Sequence, residues 1–214
     1  MKNSIFYLLP FLVFGIFSCQ SDEFIQKTNY DYSLYKKAVI DGKNVKNTVL
    51  YQNYNGSEKA EIWLGKFNDM LLNTKLNEEQ TMFLQIFKKE ISASLFSSED
   101  EAYFSSLEAE TLAKAEGLFE EHEITYLFYK LKNIHNLNAE ESSALQNART
   151  SSSCECNTNR QCIAITSIGP GGVTVDYLRC IRDHCQPVRS CGFLGLSMCQ
   201  GECFERGTGP GGNT

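Results

Sequence analysis

Eight of the nine cysteines in this chain lie between residues 154 and 203, and this clustering constrains the fold more than any other feature. The segment has few apolar residues and many glycines, so it cannot bury enough hydrophobic surface to be stable without cross-links. We therefore predict a disulfide framework, which requires an oxidising compartment. Eight cysteines can pair in about one hundred ways, and sequence alone does not choose among them. The predicted disulfide residues are Cys154, Cys156, Cys162, Cys180, Cys185, Cys191, Cys199 and Cys203.

The N-terminus predicts export. Lys2 precedes an apolar run over residues 5–17, which as a helix would span about 20 Å, too little for a bilayer core of about 30 Å. A short basic segment followed by such a run is typical of a secretory signal peptide. The run ends at Ser18-Cys19, which resembles a bacterial lipobox. We expect residues 1–18 to be a lipoprotein signal peptide and Cys19 to be the site of lipid attachment.

Residues 20–23 are Gln-Ser-Asp-Glu, and they resemble the acidic signal that sends lipoproteins of the Bacteroidetes group to the cell surface. This resemblance implies a lipid-anchored protein of the outer membrane or cell surface, with the membrane as a partner through the lipid on Cys19. Lipid attachment also accounts for the odd ninth cysteine. Ordinary signal-peptide cleavage, which would leave Cys19 unpaired, is the alternative.

Charge and composition divide the chain near residue 150. Every lysine lies at or before Lys132 and every arginine at or after Arg149. The formal net charge of −6 gives no reason to expect nucleic acid as a partner. Acidic and basic residues balance after residue 150, so the excess negative charge belongs to the first part. We divide the chain into a signal peptide (1–18), a tether and irregular segment (19–56), an acidic helical domain (57–149), a disulfide-rich module (150–206) and a flexible Gly-rich tail (207–214).

The part before residue 150 shows helical periodicity and helix-start signals. Ser57 is placed to cap a helix whose apolar face is Ala60, Trp63, Leu64, Phe67, Met70 and Leu71. Asn77 and Gln80 form a capping box for a second helix, with the apolar face Met82, Phe83, Ile86, Phe87, Ile91 and Leu95. Ser98 with Glu101 starts a third. Further helices are predicted over residues 33–41, 107–119, 123–131 and 138–148, with a weak point at Gly117 between the middle two.

Residues 162–180 carry a β-hairpin signal. Two runs rich in β-branched residues, 163–168 and 173–178, flank Gly-Pro-Gly-Gly. A three-residue loop over 170–172 would place Cys162 directly opposite Cys180, within disulfide reach. We expect a Cys162–Cys180 bridge, and a one-residue change of register would rule it out. The predicted fold class is α+β, an N-terminal helical bundle followed by a small disulfide-rich module with this hairpin.

Residues that could carry out catalysis are sparse. Glu120, Glu121, His122 and Glu123 cluster, but a charge run on a helix is typical of a solvated face. His135 has no partner at a useful spacing. The G-x-G-x-x-G run in the C-terminal tail neither follows a strand nor opens a helix, so it is no nucleotide motif. We expect no enzyme activity, no catalytic residue and no cofactor.

Zinc binding is the competing chemical use of the cysteines. Cys154, Cys156, His184 and Cys185 could supply thiolate and imidazole ligands. Their spacing matches no zinc finger or zinc ribbon, and an exported chain is exposed to oxidation. We therefore expect disulfides rather than a metal site.

The cysteine order is similar to that of the fulvocin C-related bacteriocins, over less than a quarter of the chain. The pattern is Cys154-x-Cys156, several single cysteines, and then Cys191-Gly192-x-x-Gly195-x-x-x-Cys199-x-x-x-Cys203. The resemblance implies a toxin-like module that acts on competing bacteria, with an envelope component or receptor of the target cell as partner. Cleavage near residues 151–153 would release it. The alternative is a surface lipoprotein that binds a ligand or partner through its disulfide-stapled C-terminal tip, or a plain envelope protein with such a domain.

Overall fold

Six α-helices precede six short β-strands among the described residues of the computed structural model, which confirms the α+β class. The residues described belong to one compact unit that runs from Asp31 to Thr214. They are 33–44, 52–132, 154, 156–169, 172–182, 185 and 187–204. The signal peptide, Cys19, the helix at 138–148, the boundary near residue 150 and the Gly-rich tail were predicted for residues outside this set. Within it, no helix is both long and apolar enough to cross a membrane.

The six helices form the first part of the described chain. They are α1 (Ser33–Asn44), α2 (Gly56–Asn73), α3 (Glu78–Phe87), α4 (Ala93–Ser97), α5 (Glu101–Ala115) and α6 (Glu121–Phe128). A 3₁₀ turn, Lys88–Glu90, follows α3 directly. Helix α1 continues past Gly42, where we expected it to end.

Two capping boxes begin α2 and α3. The Asn55 side chain accepts hydrogen bonds from the backbone N–H groups of Ser57 and Glu58, at 2.9 and 3.0 Å, and the Glu58 carboxylate accepts from the Asn55 N–H at 2.8 Å. The predicted cap Ser57 is therefore wrong, because Asn55 takes that role two residues earlier. The box of Asn77 and Gln80 is confirmed, with both reciprocal bonds present.

One helix, α5, replaces the two that we predicted from Ser98 and over residues 107–119. It begins after Asp100. The Asp100 carboxylate accepts from the Tyr103 N–H at 2.9 Å, whereas the Ser98 hydroxyl accepts from the Asp100 N–H at 3.1 Å. Ser98 is thus part of the approach to the helix and not its cap. The expected weak point at Gly117 is confirmed, since α5 ends at Ala115 and α6 begins at Glu121.

The helical core is built largely from aromatic rings. Phe67 of α2, Phe87 of α3 and Phe128 of α6 meet near its centre, with Phe87 5.4 Å from Phe67 and 5.1 Å from Phe128 between ring centroids. Both contacts are edge-to-face, a favourable geometry for aromatic pairs. Trp63 and Leu84 are buried beside them. Because each helix is short, this shared packing stabilises all of them.

The predicted apolar face of the second helix is wrong at two positions. Met82 and Ile86 are 55% and 57% exposed, whereas Leu84 and Phe87 are buried. We expected one helix through residue 95, but α3 ends at Phe87 and the chain turns before α4. The buried side chains of α3 therefore lie on a different side of the helix from the apolar face that we predicted for a helix through residue 95.

The strands form three separate two-stranded antiparallel sheets, which pair β1 with β2, β3 with β6 and β4 with β5. Their bounds are β1 (Ile163–Gly169), β2 (Gly172–Tyr177), β3 (Arg179–Arg182), β4 (Val188–Cys191), β5 (Ser197–Cys199) and β6 (Gly201–Phe204). The predicted hairpin is confirmed as β1–β2, whose facing ends are Gly169 and Gly172.

A turn of the cysteine-rich part packs into the helical core. We call Phe193, Leu194 and Leu196 the apolar turn; all three side chains are buried and belong to the same core cluster as the helices. Gly192 and Gly195 have φ angles of +75° and +71°, a region that favours glycine. Leu194 also has a positive φ of 53°, which costs a non-glycine residue about 1–2 kcal/mol. Burial of its side chain in the core offsets that cost.

Candidate functional site

All eight clustered cysteines form disulfides. The pairs are Cys154–Cys185, Cys156–Cys180, Cys162–Cys203 and Cys191–Cys199. Every bond joins residues within the cysteine-rich part. Four such bonds indicate an extracellular or otherwise oxidising compartment.

The expected Cys162–Cys180 bridge is wrong, and the register of the hairpin explains why. Gly169 pairs with Gly172, so two residues connect the strands rather than three, and a bulge between Ile165 and Ser167 shifts the register by one more. As a result, the backbone opposite Cys162 is that of Leu178, whose N–H donates to the Cys162 carbonyl at 2.8 Å.

The chain also leaves the hairpin before it reaches Cys180. Residues 179–182 form β3, which pairs with β6, and the backbone of Cys180 lies opposite that of Cys203. These two facing cysteines are not bonded to each other. Their disulfide partners, Cys156 and Cys162, belong to the segment before β1.

The disulfides pack together in two groups. Cys154, Cys191 and Cys199 are buried in one cluster with Cys185 against it. In the other group, the Sγ atoms of Cys156, Cys162 and Cys180 all lie within 4.8 Å of one another. We call the second group, with Cys203, the four-sulfur centre. Sequence spacing did not predict either group, because each brings together cysteines from segments that lie far apart in the chain.

The three described cysteines that we considered as zinc ligands are divided between the two disulfide groups. Cys154 and Cys185 are bonded to each other, and Cys156 is bonded to Cys180, so these sulfurs are not thiolate ligands in this state. His184 lies outside the described residues. Of the cysteines considered as zinc ligands, Cys156 belongs to the four-sulfur centre.

A cleft of about 580 Å³ lies where the cysteine-rich part meets the helices. Its lining includes the turn between α5 and α6 and the first turn of α6. The lining residues are Gln80, Glu116, Gly117, Leu118, Phe119, Glu120, Glu121, Glu123, Ile124 and Arg160. Four carboxylates and one arginine line the cleft, so it favours cations and N–H donors over anions.

Arg160 links the two parts at this cleft. Its Nη2 atom lies 3.2 Å from the Glu116 carboxylate, and its backbone carbonyl accepts from the buried Thr125 hydroxyl at 3.0 Å. At the end of β2, burial raises the pKa of Tyr177, and the nearby Glu121 carboxylate raises it further. These contacts tie both ends of the hairpin region to α6 and to the end of α5.

The acidic cluster at residues 120–123 forms part of this lining rather than a wholly solvated face. Glu120 precedes α6 as its N-cap residue, and the Glu123 carboxylate accepts from the Glu120 N–H at 3.0 Å. The capping spacing of these two residues was visible in the sequence. Their place in a cleft was not, because Arg160 comes from a distant segment.

Lys66 is a buried lysine that sequence reasoning missed. Its ammonium group donates to the backbone carbonyls of Tyr126, Leu127 and Lys130, at 2.7 Å for Leu127 and 2.5 Å for Lys130. These carbonyls lie at the C-terminal end of α6, where a positive charge is favoured. The spacing from Trp63 to Lys66 placed it on the apolar face of α2, and that is the signal by which it could have been found.

Burial changes the titration of the groups around this contact. Desolvation lowers the pKa of Lys66 well below its ordinary value, although three accepting carbonyls favour its charged form. Burial raises the pKa of Tyr126. It also raises the pKa of Tyr129, whose hydroxyl donates to the Glu108 carboxylate. The ammonium donates all three of its hydrogens to carbonyls, so Lys66 is a structural cap of α6 and not a poised nucleophile.

No protein-family profile matches the chain, and neither a curated protein nor a solved structure matches it.

Proposed function

We propose that this is an exported, lipid-anchored surface protein that binds a ligand or partner through its disulfide-braced part while that part stays attached to the helices. The observation that carries this proposal is the packing of Phe193. Its ring centroid lies 5.2 Å from that of Phe128, 5.9 Å from that of Phe87 and 6.3 Å from that of Tyr129.

The energetics of the apolar turn favour a function in the attached state. Burial of each large apolar side chain stabilises a fold by about 1.5–3 kcal/mol. Release of the cysteine-rich part would expose Phe193, Leu194 and Leu196 to water and open the helical core at the same time. Such an apolar surface gives no advantage to a module that acts alone. In a rigid tip that stays on a scaffold, the same surface provides the attachment.

The four disulfides support export, and the lipobox-like Ser18-Cys19 supports a lipid anchor. The attachment test is metabolic labelling with a palmitate analogue. Label is expected on the full chain and absent from Cys19→Ser; a labelled Cys19→Ser chain would refute the anchor at this residue.

The cleft beside Arg160 offers a place for a small ligand where the disulfide-braced part, which supplies Arg160, meets the helices, which supply the other lining residues. It combines apolar groups, such as Phe119 and Ile124, with four carboxylates and Arg160. Pockets of this mixed kind are common ligand sites. We expect a ligand that bears a positive charge or several N–H donors.

A bacteriocin-like toxin is the second candidate, and one observation favours it. All four disulfides and all three sheets lie within residues 154–204, so no covalent link ties this part to the helices beyond the connecting chain. The resemblance to fulvocin C-related bacteriocins concerns the same residues. In this candidate, cleavage near residues 151–153 releases the part, which then acts on the envelope of a competing cell.

One experiment separates the two candidates. A specific protease site is inserted at residues 151–153 of the full oxidised chain, and the cleaved protein is analysed by gel filtration and by growth inhibition of competing bacteria. Binding in the attached state predicts that both fragments elute together and inhibit nothing. Dissociation of an inhibitory fragment would overturn it and support the toxin. As a control, cleaved Phe193→Ala should dissociate more readily than cleaved Met198→Ala, because Phe193 is buried and Met198 is 39% exposed.

A further inference from the structure

The four-sulfur centre places two disulfides close together. The Sγ atoms of Cys156, Cys162 and Cys180 lie within 4.8 Å of one another, and Cys203 is bonded to Cys162. The described residues hold no second cluster of three or more sulfur, imidazole or carboxylate ligand atoms so close together. A thiolate formed at Cys156, Cys162 or Cys180 would therefore lie within 4.8 Å of a sulfur of the other disulfide.

Backbone contacts hold this centre in place independently of the disulfides. Cys156 and Gly201 exchange two backbone hydrogen bonds of 3.0 and 2.9 Å. Cys180 donates its N–H to the Asn159 side chain at 2.9 Å. A side chain at Gly201 would lie only 2.9 Å from the Cys180 sulfur, so glycine is what allows the close approach.

The β3–β6 ladder places a second possible pair of cysteines opposite each other. Cys180 and Cys203 face each other across it. The N–H of Cys180 bonds to Asn159 rather than across the sheet, as expected of a non-hydrogen-bonded pair, in which facing side chains are closest. Such positions accept a cross-strand disulfide. Cys156 and Cys162 would then remain as the second pair.

We propose that the four-sulfur centre is a thiol–disulfide exchange site, which an external thiol converts between two pairings. One pairing is Cys156–Cys180 with Cys162–Cys203, and the other is Cys156–Cys162 with Cys180–Cys203. The co-reactant is a thiolate, either of a small molecule or of a protein. It binds covalently and is released unchanged at the end.

The exchange balances in three steps. The external thiolate attacks Cys203, whose side chain is partly exposed, forms a mixed disulfide and releases the buried Cys162 as a thiolate. Cys162 attacks Cys156, which forms Cys156–Cys162 and releases Cys180 as a thiolate. Cys180 then attacks Cys203, which forms Cys180–Cys203 and expels the external thiolate. Three S–S bonds form and three break, and no electrons are gained or lost overall.

Trypsin makes the two pairings distinguishable, because arginines separate most of the cysteines. Cleavage yields peptides 150–160, 161–179, 180–182, 183–189 and 190–206. In the observed pairing, peptide 180–182 is linked to 150–160, which contains Cys156. In the alternative pairing it is linked to 190–206, which contains Cys203.

The first test incubates the oxidised full chain with a small amount of reduced glutathione near pH 8, then quenches with acid and maps the linked peptides. Peptide 180–182 is expected to move in part from 150–160 to 190–206, while 183–189 stays linked to 150–160. The second test is Cys203→Ser, in which alkylation should find the free thiol at Cys156 or Cys180 as well as at Cys162. In the matched control Cys199→Ser, the free thiol should stay at Cys191.

Each outcome decides the proposal. In Cys203→Ser, alkylation at Cys156 or Cys180 as well as at Cys162 supports exchange. This holds even if the observed pairing dominates in the wild type, provided that the control Cys199→Ser is labelled at Cys191 alone. If Cys203→Ser does not fold, the glutathione experiment on the wild type decides alone. An unchanged wild-type map together with label confined to Cys162 would overturn the exchange site. Equal scrambling in both variants would overturn it as well, because exchange would then not be specific to this centre.

Discussion

The helical residues 52–132 and the cysteine-rich residues 154–204 are stabilised by different means. The helical part packs rings such as Phe67 and Phe87 around a continuous core. The cysteine-rich part has short two-stranded sheets, which are marginal alone, and four disulfides. The difference teaches that cross-links replace burial where apolar residues are few. The apolar turn at Phe193 is the exception, since it makes the second part depend on the core of the first.

The largest effect is expected where the two parts meet. Phe193→Ala should destabilise the protein by about 3–5 kcal/mol, the usual cost of removing a buried phenylalanine ring from a core. Denaturant unfolding followed by circular dichroism measures this change. Met198→Ala, on the exposed side of β5, should stay within about 0.5 kcal/mol of the wild type. Equal effects of the two substitutions would show that the parts are energetically independent.

Within the cysteine-rich part, the length of the closed loop should set the cost of losing a disulfide. Cys162–Cys203 spans 41 residues and Cys191–Cys199 spans 8. Chain entropy predicts losses of about 4 kcal/mol for the double serine variant of the first and about 2.5 kcal/mol for that of the second. Thermal and denaturant unfolding of the two variants tests the order. A reversed order would mean that packing of the sulfurs outweighs the entropy of the unfolded chain.

In the helical part, the contact whose loss we expect to matter is polar, namely that of the Lys66 ammonium with the end of α6. Lys66→Met should cost about 2–3 kcal/mol, because the carbonyls at the end of α6 lose their donor while the variant keeps the apolar stem. Lys89→Met, at an exposed position in the 3₁₀ turn after α3, is the matched control and should have little effect. Similar unfolding midpoints for both variants would contradict the role of Lys66 as a cap.

Lys66 also predicts a pH dependence. Its pKa is lowered in the folded state, so between that pKa and the unfolded value of about 10.4 the unfolded chain binds more protons. The stability of the wild type relative to Lys66→Met should therefore rise with pH in this window. The raised pKa values of Tyr126 and Tyr129 lower stability above about pH 10 in both proteins, and so cancel in the comparison. A flat difference would contradict the shift at Lys66.

The smallest effect is expected at the ion pair between the two parts. Arg160 and Glu116 are 28% and 56% exposed, so water screens their attraction. A double-mutant cycle with Arg160→Gln and Glu116→Gln should give a coupling energy below about 1 kcal/mol. A larger value would show that this pair, as well as the apolar turn, holds the parts together.

Local features of the fold were predictable from the sequence because they depend on neighbours. The Asn77–Gln80 capping box spans four residues, and the β1–β2 hairpin follows from its glycines and β-branched runs. Errors arose where one residue decides the outcome. Asn55 rather than Ser57 caps α2, and the bulge in β1 shifts the facing residues. Neither choice is visible in periodicity.

The sequence by itself determined that residues 154–203 would be cross-linked, since that segment has many cysteines and too little apolar surface for a core. Only the tertiary structure decided which cysteines pair, that Phe193 docks among the helices, and that Lys66 caps α6. The physical reason is separation along the chain. A cap or a turn is set by residues a few positions apart, whereas a disulfide or a ring contact depends on register and packing between distant segments.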